Sequence, residues 1–288
     1  MDQAVLMGVP LYTASGHQGM GVAPKRLRGE GIIRATGDPM DLGDVSLPEL
    51  TIDVLDGRTK NLEYFGKASR QIYGKTREID AEKAIILGGE CSIASGVIAG
   101  LSQQFGGRPG ILWMDAHGDF NTPETTPSGY IGGMALAMAC GRGPDVMPDV
   151  EGGRPLIAEE RLVHVGSRAL DPPEVSAFNE SPAKLFTSQQ VKKLGAADVA
   201  DEAARHLDNR SDWIICHLDV DVVDPGTIPA VTYPAPDGLT ISEVAMIVRT
   251  LHRTGKVKVF QVTAYNASND PRGESAHAVV DMVRQSLS

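Results

Sequence analysis

Residues 110–119 read GILWMDAHGD, an apolar run that passes directly into two acids and a histidine. The apolar part fits a strand buried on both faces. Asp115, His117 and Asp119 then recur at every second position, which on an extended chain is one face. Outward from this stretch, apolar runs of strand length recur at AVLMGVP (4–10), EGIIRAT (30–36), KAIILGG (83–89), RLVHVGS (161–167), DWIICHLDV (212–220) and VKVFQVT (257–263). Longer periodic stretches lie between them, near 19–28, 58–78, 92–105, 132–141, 197–208, 241–253 and 273–286. Strands alternating with helices imply βαβ units and an α/β fold with a mainly parallel sheet. In ISEVAMIVRTLHR, Ser242 and Glu243 read as a helix start, and Gly255 as its end. The stretches 36–50 and 141–160, rich in Gly, Pro and Asp, read as irregular loops. No repeat, low-complexity tract or linker divides the chain, so residues 1–288 read as one domain.

Composition narrows the function classes. The chain has 27 Lys and Arg against 37 Asp and Glu, a net charge of −10, which disfavours a nucleic-acid or acidic-membrane partner. A hydrophobic fraction of 42% is ample for a core. No apolar run reaches the roughly 18 residues of a membrane span. The N-terminal stretch lacks the basic and apolar regions of a secretion signal. Cys91, Cys140 and Cys216 are scattered and odd in number, which argues against a disulfide framework and for a reducing compartment. A cytoplasmic location is the expectation.

Three strand ends carry the polar groups: Gly88-Gly89-Glu90-Cys91-Ser92, Asp115-Ala116-His117-Gly118-Asp119, and His217-Leu218-Asp219-Val220-Asp221 followed by Asp224-Pro225. Ligands of an open parallel sheet bind outside the carboxyl ends of its strands. Asp219 and Asp221 share one face, and His217 shares their parity. At least four carboxylates and an imidazole would meet there, and without a cation they would repel one another. A pair of divalent metals removes the repulsion and can activate water at neutral pH. A donor set made mostly of oxygen suits manganese better than zinc.

These residues resemble the arginase–agmatinase (ureohydrolase) family, whose pattern is G-G-x-H, then D-A-H-x-D, then D-x-D-x-x-D-P. The resemblance runs from about Gly88 to Gln261. It implies a three-layer α/β/α fold and a centre of two manganese ions that hydrolyses a guanidino group. Carried over, one ion would be held by Cys91, Asp115, Asp119 and Asp219, and the other by His117, Asp115, Asp219 and Asp221. Asp115 and Asp219 would bridge. Asp224 reads as the holder of the Asp-Pro turn. Within the family, arginases carry N-T-P-x-T-T-x-S-G after the first acidic strand, matched by residues 121–129, and G-x-R-x-x-D-P, matched by residues 166–172. The resemblance makes Asn121, Ser128 and Tyr130 binders of the amino-acid substrate, and Asp171 the acceptor of its α-ammonium. It implies a small guanidino amino acid as the partner.

Three departures from the arginase pattern stand out. Cys91 replaces a metal-binding histidine. Gly132 replaces a histidine that acts in proton transfer, with Tyr130 in place of an asparagine two residues earlier. Gln261 aligns with a glutamate that pairs with the guanidinium, and so joins Asp119 among the expected catalytic groups. A neutral glutamine suits a weakly basic guanidine, and the loss of the proton-transfer histidine suits a substrate with a better leaving group or one that brings its own proton donor. The cysteine resembles a branch of the family that hydrolyses Nω-hydroxy-L-arginine to L-ornithine and hydroxyurea in antibiotic biosynthesis. That reaction is the expectation. An ordinary arginase or another guanidino-acid hydrolase with a variant site is the alternative, and a non-catalytic metal-binding relative the third. Arginase trimers carry a C-terminal tail beyond the last helix, which ESAHAVVDMVRQSLS does not supply, so a monomer is expected.

Overall fold

The computed structural model describes residues 4–52, 58–146 and 153–288. Eight parallel strands form one sheet: β1 Ala4–Val9, β2 Met40–Asp44, β3 Lys83–Gly88, β4 Pro109–Met114, β5 Leu162–Val165, β6 Lys184–Phe186, β7 Trp213–Asp219 and β8 Val257–Thr263. Their order is β2-β1-β3-β8-β7-β4-β5-β6. The last strand in the chain thus sits near the middle of the sheet, paired with β3 on one side and β7 on the other.

Alternate residues of each strand feed two separate cores. Leu6, Leu87, Leu112, Ile214 and Val262 pack with Val199, Val244 and Val279 of helices Ala196–Asp208, Ile241–His252 and Glu274–Leu287. Val5, Ile86, Trp113, Ile215 and Val259 pack on the opposite face with Phe65, Val97 and Leu136 of helices Leu62–Thr76, Ala94–Phe105 and Ala135–Ala139. The result is the three-layer α/β/α arrangement. Among the described residues no helix is long and apolar enough to cross a membrane. Cys216 is fully buried, as its parity predicts, and Cys140 is buried after the helix it follows.

Some expectations need correction. EGIIRAT is not a strand: Ile32–Ala35 forms a short helix. Gly31 and Gly37 on its flanks take positive φ values of 92° and 85°, which curl the chain, and buried Ile32 and Ala35 share one helical face at i, i+3. The stretch 36–50 contains β2, an exposed edge strand tied down by Arg28, whose guanidinium bonds Asp41 at 2.8 Å. The helix at 241–252 is capped by Thr240, not Ser242, with Glu243 closing a capping box. Helix Pro172–Glu180, strand β6 and helix Ser188–Leu194 are present beyond the expected elements. Part of the expected 141–160 loop, residues 147–152, lies outside the described residues.

Candidate metal centre and substrate pocket

Strands β3, β8, β7 and β4 are neighbours, so their carboxyl ends meet at one place. At the end of β3 the chain runs tight against the loop after β1, where a Cβ on Gly89 would lie 1.9 Å from the Leu11 carbonyl oxygen. A short 3-10 turn, Cys91–Ile93, then starts the next helix and leaves Cys91 over the strand ends. The Cys91 thiol donates to Asp219 Oδ2 at 2.9 Å and lies 3.1 Å from Thr263 Oγ1 at the end of β8.

The acids are fixed by the backbone that follows each of them. Asp115 Oδ1 accepts the His117 N–H at 2.7 Å, and Asp219 Oδ1 accepts the Asp221 N–H at 2.7 Å. Asp221 Oδ1 accepts the Ala116 N–H at 3.1 Å, which ties the β7 end to the β4 end. His117 Nδ1 lies 3.1 Å from Asp221 Oδ2 and 3.4 Å from Asp115 Oδ1. Asp119 takes a φ of +48°, an uncommon conformation for a residue with a Cβ, held by two N–H groups, of Leu136 and Ala137, on its carbonyl. Arg168 locks the surrounding loops, its guanidinium donating to the carbonyls of Asp221 at 2.7 Å and Ala235 at 2.9 Å. Asp224 holds the turn as expected, accepting from Gly226 and Gly238 N–H groups.

These residues fit a pair of divalent cations. Asp115, Asp119, Asp219 and Asp221 are all buried, and among the described residues His117 is the one cationic side chain paired with them. Two groups bring their ligand atoms within 4.8 Å of one another, Cys91 with Asp115 and His217, and Asp115 with His117 and Asp221. Asp115 belongs to both, as a bridging ligand must. The first group differs from the expected set by including His217 and lacking Asp119 and Asp219, and Asp219, the other expected bridge, belongs to neither group. That imidazole stacks on Trp113 at 3.6 Å, and Trp113 Nε1 in turn donates to Asp115 Oδ2 at 3.0 Å. Burial, reinforced by nearby His164, holds His217 neutral with a pKa down near about 3.

Charge crowding makes stability depend on pH. Burial and the Asp221 charge push Asp115 up to about 6. Burial and neighbouring carboxylates also raise Asp119 and Asp219. Burial would lower His117, but Asp221 and Asp115 outweigh it and push it up to about 12. Burial would likewise raise Asp221, but His117 outweighs it and holds Asp221 low. A raised folded pKa contributes stability that is present below the unfolded pKa and is lost as pH rises through the folded value. Asp115 therefore acts between 3.8 and about 6, and His117 from 6.5 upward, both in the same direction. Asp221 acts with the opposite sign, only below its ordinary value. Buried His217 and His164, held down at about 3, and His252, held down at about 4, also act with the opposite sign, up to 6.5. The net fall therefore shows above that value: chelator-treated protein should melt at a steadily lower temperature from pH 6.5 to pH 8. Saturating manganese should raise the melting temperature more at pH 8 than at pH 5, because metal replaces protons. A melting temperature of the metal-free protein that is flat or rising from pH 6.5 to pH 8 would contradict this cluster of charges.

Above the carboxylates lies a cavity of about 490 Å³. Asn121, Ser128, Tyr130 and Asp171 all line it, as do Cys91, His117, Asp119, Asp219 and Asp221. Asn121 Nδ2 donates to Asp171 Oδ2 at 2.9 Å, so the expected carboxylate and ammonium binders form one polar edge. Gln261 does not line the cavity. It is fully buried one tier below, its amide nitrogen 2.7 Å from His217 Nδ1. The β7–β8 register explains this: Gln261 lies opposite His217, and Thr263 lies opposite Asp219. The β8 side chain that reaches the cluster is Thr263, and Gln261 supports it from behind.

Glu174, Glu90 and Tyr233 also line the cavity. Glu174 Oε1 accepts the Phe120 N–H at 2.9 Å and Oε2 accepts the Asp171 N–H at 2.8 Å, which joins the loop after β4 to the start of helix Pro172–Glu180. Glu90 is 2% exposed and lines the cavity beside Cys91. Burial raises its pKa, while hydrogen bonds from Ser92, Thr13 and Tyr130 hold the shift back. Tyr233 lies in the cavity wall, its hydroxyl 3.3 Å from His17 Nε2. Glu90 and Glu174 could have been suspected as acids inside otherwise recognisable motifs. Nothing in the local sequence marks Tyr233 or His17.

Comparison with known proteins agrees with this geometry. The family model described as the arginase family matches residues 2–288. The arginase of Bacillus caldovelox is 32% identical over 291 residues, covering 98% of this chain and 97% of that protein. Its native structure at pH 5.6 superposes with a TM-score of 0.92 at 31% identity, covering 100% of this chain and 98% of that one. The arginase of Bacillus subtilis (strain 168) is 30% identical over 294 residues, covering 100% of this chain and 98% of that protein. The Entamoeba histolytica arginase in complex with L-ornithine superposes with a TM-score of 0.89 at 25% identity, covering 99% of this chain and 98% of that one.

Proposed function

The chain belongs to the arginase family, and within it we propose that this protein hydrolyses Nω-hydroxy-L-arginine to L-ornithine and hydroxyurea. The observation that carries the reading is the position of Cys91. Its thiol lies 2.9 Å from Asp219, among the acids, so a soft sulfur donor joins an otherwise oxygen-rich centre. Two manganese ions are proposed there, held by Cys91, Asp115, Asp119, Asp219, His117 and Asp221, and when bound they supply activation of water and polarisation of the guanidine carbon. Asp119 is held in its strained conformation to serve as a ligand. A ligand set with an added sulfur anion is a weaker electrophilic partner, which favours a more reactive guanidine.

The chain's own groups do the rest. The Asn121 and Ser128 side chains offer uncharged donors to an α-carboxylate, and Asp171 accepts from an α-ammonium. This edge fixes the amino-acid end, so the guanidine reaches the cavity floor. A water oxygen adds to the guanidine carbon, the carbon–nitrogen bond to the ornithine side chain breaks, and that nitrogen leaves with a proton. The hydroxylated nitrogen stays on carbon as hydroxyurea. L-Arginine is the second reading, because the Asn121–Asp171 edge fits any arginine-like amino acid.

A substrate panel tests this: L-arginine, Nω-hydroxy-L-arginine, agmatine and guanidinobutyrate with manganese, with urea and hydroxyurea assayed separately. Hydroxyurea release should dominate, and a preference for agmatine or guanidinobutyrate would remove the amino-acid reading. Asp171→Asn keeps the helix start but loses the charge. It should raise KM for the amino-acid substrate about 10- to 100-fold, the size of a lost charge-assisted hydrogen bond, with kcat changed much less. An unchanged KM would put the α-ammonium elsewhere.

A further inference from the structure

The loop at residues 128–134 carries two departures from the arginase pattern, Tyr130 and Gly132, and the structure makes them one device. A Cβ built on Gly132 would lie 2.4 Å from Tyr130 Cε1, 2.6 Å from Cζ and 2.7 Å from the hydroxyl oxygen. Position 132 is therefore bare because the phenol ring fills the space a side chain would need. The ring is held on its other sides as well. The His17 ring meets it edge-on at 5.1 Å, and Tyr233 lies at 5.8 Å.

The hydroxyl is equally constrained. Tyr130 donates its one proton to Glu90 Oε2 at 2.9 Å. Glu90 also accepts from Thr13 N–H at 2.9 Å, Thr13 Oγ1 at 2.8 Å and Ser92 Oγ at 2.5 Å, so the carboxylate is fully used as an acceptor. A phenol whose proton is committed offers only lone pairs to whatever else it meets. Tyr130 lines the same cavity as Cys91 and Asp219. It thus presents a neutral, oriented acceptor beside the floor where the guanidine is hydrolysed.

We infer that Tyr130 is a specificity-determining residue whose hydroxyl oxygen accepts a hydrogen bond from the N-hydroxyl of a hydroxyguanidine, with Gly132 giving it room and Glu90 positioning it. This rests on the reading under Proposed function and adds the group that distinguishes the substrate from its unhydroxylated parent. A site that hydrogen-bonds a substrate hydroxyl discriminates strongly against the analogue without it, because its own polar group is then left unpaired.

The test uses manganese-loaded protein with Nω-hydroxy-L-arginine as substrate and L-arginine read as substrate or as competitive inhibitor. Tyr130→Phe keeps the ring and removes the oxygen. It should raise KM for Nω-hydroxy-L-arginine about 10-fold or more, while the KM or Ki of L-arginine stays within about 3-fold. Gly132→Ala should produce the same selective loss by displacing the ring. Melting temperature gives a readout apart from turnover: Gly132→Ala should lower it in the Tyr130 protein and leave it unchanged in a Tyr130→Ala background. If the unmodified protein releases hydroxyurea but Tyr130→Phe affects neither compound, or both equally, the inference fails and the proposed function stands. An equal drop in melting temperature in both backgrounds also overturns it, by removing the contact. If the unmodified protein releases no hydroxyurea, the proposed function fails and this inference with it.

Discussion

Asp219→Ala and Asp115→Ala are each expected to abolish hydrolysis, with losses of at least about 1000-fold, since a metal centre supplies several kcal/mol of transition-state stabilisation. Asp115 is shared by both candidate ligand groups and accepts from the His117 N–H and Trp113 Nε1, so its loss would weaken the hold on both proposed ions and loosen the His117 backbone. Asp219 touches the Cys91 thiol with one oxygen and fixes the Asp221 N–H with the other. Either variant should retain less than about one metal ion per chain by elemental analysis, since a site that loses a bridging ligand holds neither ion well. Full activity in either variant would sink the two-metal centre.

Cys91→Ser carries the second large effect. In the metal-free protein, burial and then the charges of Asp219, Asp119 and Asp115 raise the Cys91 pKa well above its ordinary value, so the sulfur is a neutral thiol donating to Asp219. A bound cation reverses that logic and strips the thiol proton. Serine keeps the hydrogen bond to Asp219 but is a much poorer anion. It should preserve the melting temperature of the metal-free protein, lose about one of two metal ions, and reduce turnover by about 100-fold or more. Cys91→His should retain both ions and still not confer strong L-arginine hydrolysis, because Tyr130 and Gly132 remain. Unchanged metal content and rate in Cys91→Ser would make Cys91 a packing residue.

The sheet and its acidic rim were legible because their signals are local. Asp115, His117 and Asp119 announce themselves by spacing within one strand end, as do Asp219 and Asp221. What failed depended on distance or exposure. Met40–Asp44 is exposed along its length, so no buried pattern marks it. Ile32–Ala35 looked like a strand because four residues between two glycines carry too little periodicity to separate the two states. Gln261 lies behind the ligands rather than in the cavity, since only the pairing of β8 with β7 shows which side chain faces them. Glu90 and Glu174 gain their roles from Thr13 and Phe120, 77 and 54 residues away in the chain.

The central position of β8 has a consequence for how the molecule is made. Residues 257–263 fill the gap between β3 and β7, and among the described residues no other strand joins those two by backbone pairing. A nascent chain that has emerged only through β7 therefore holds two half-sheets, each with an open inner edge that invites wrong pairing. Such a high contact order makes the final insertion slow relative to local helix formation. The proposed metal centre, whose ligands come from both halves, would close only at that last step, so the capacity to bind two ions should appear late in refolding and together with native sheet structure.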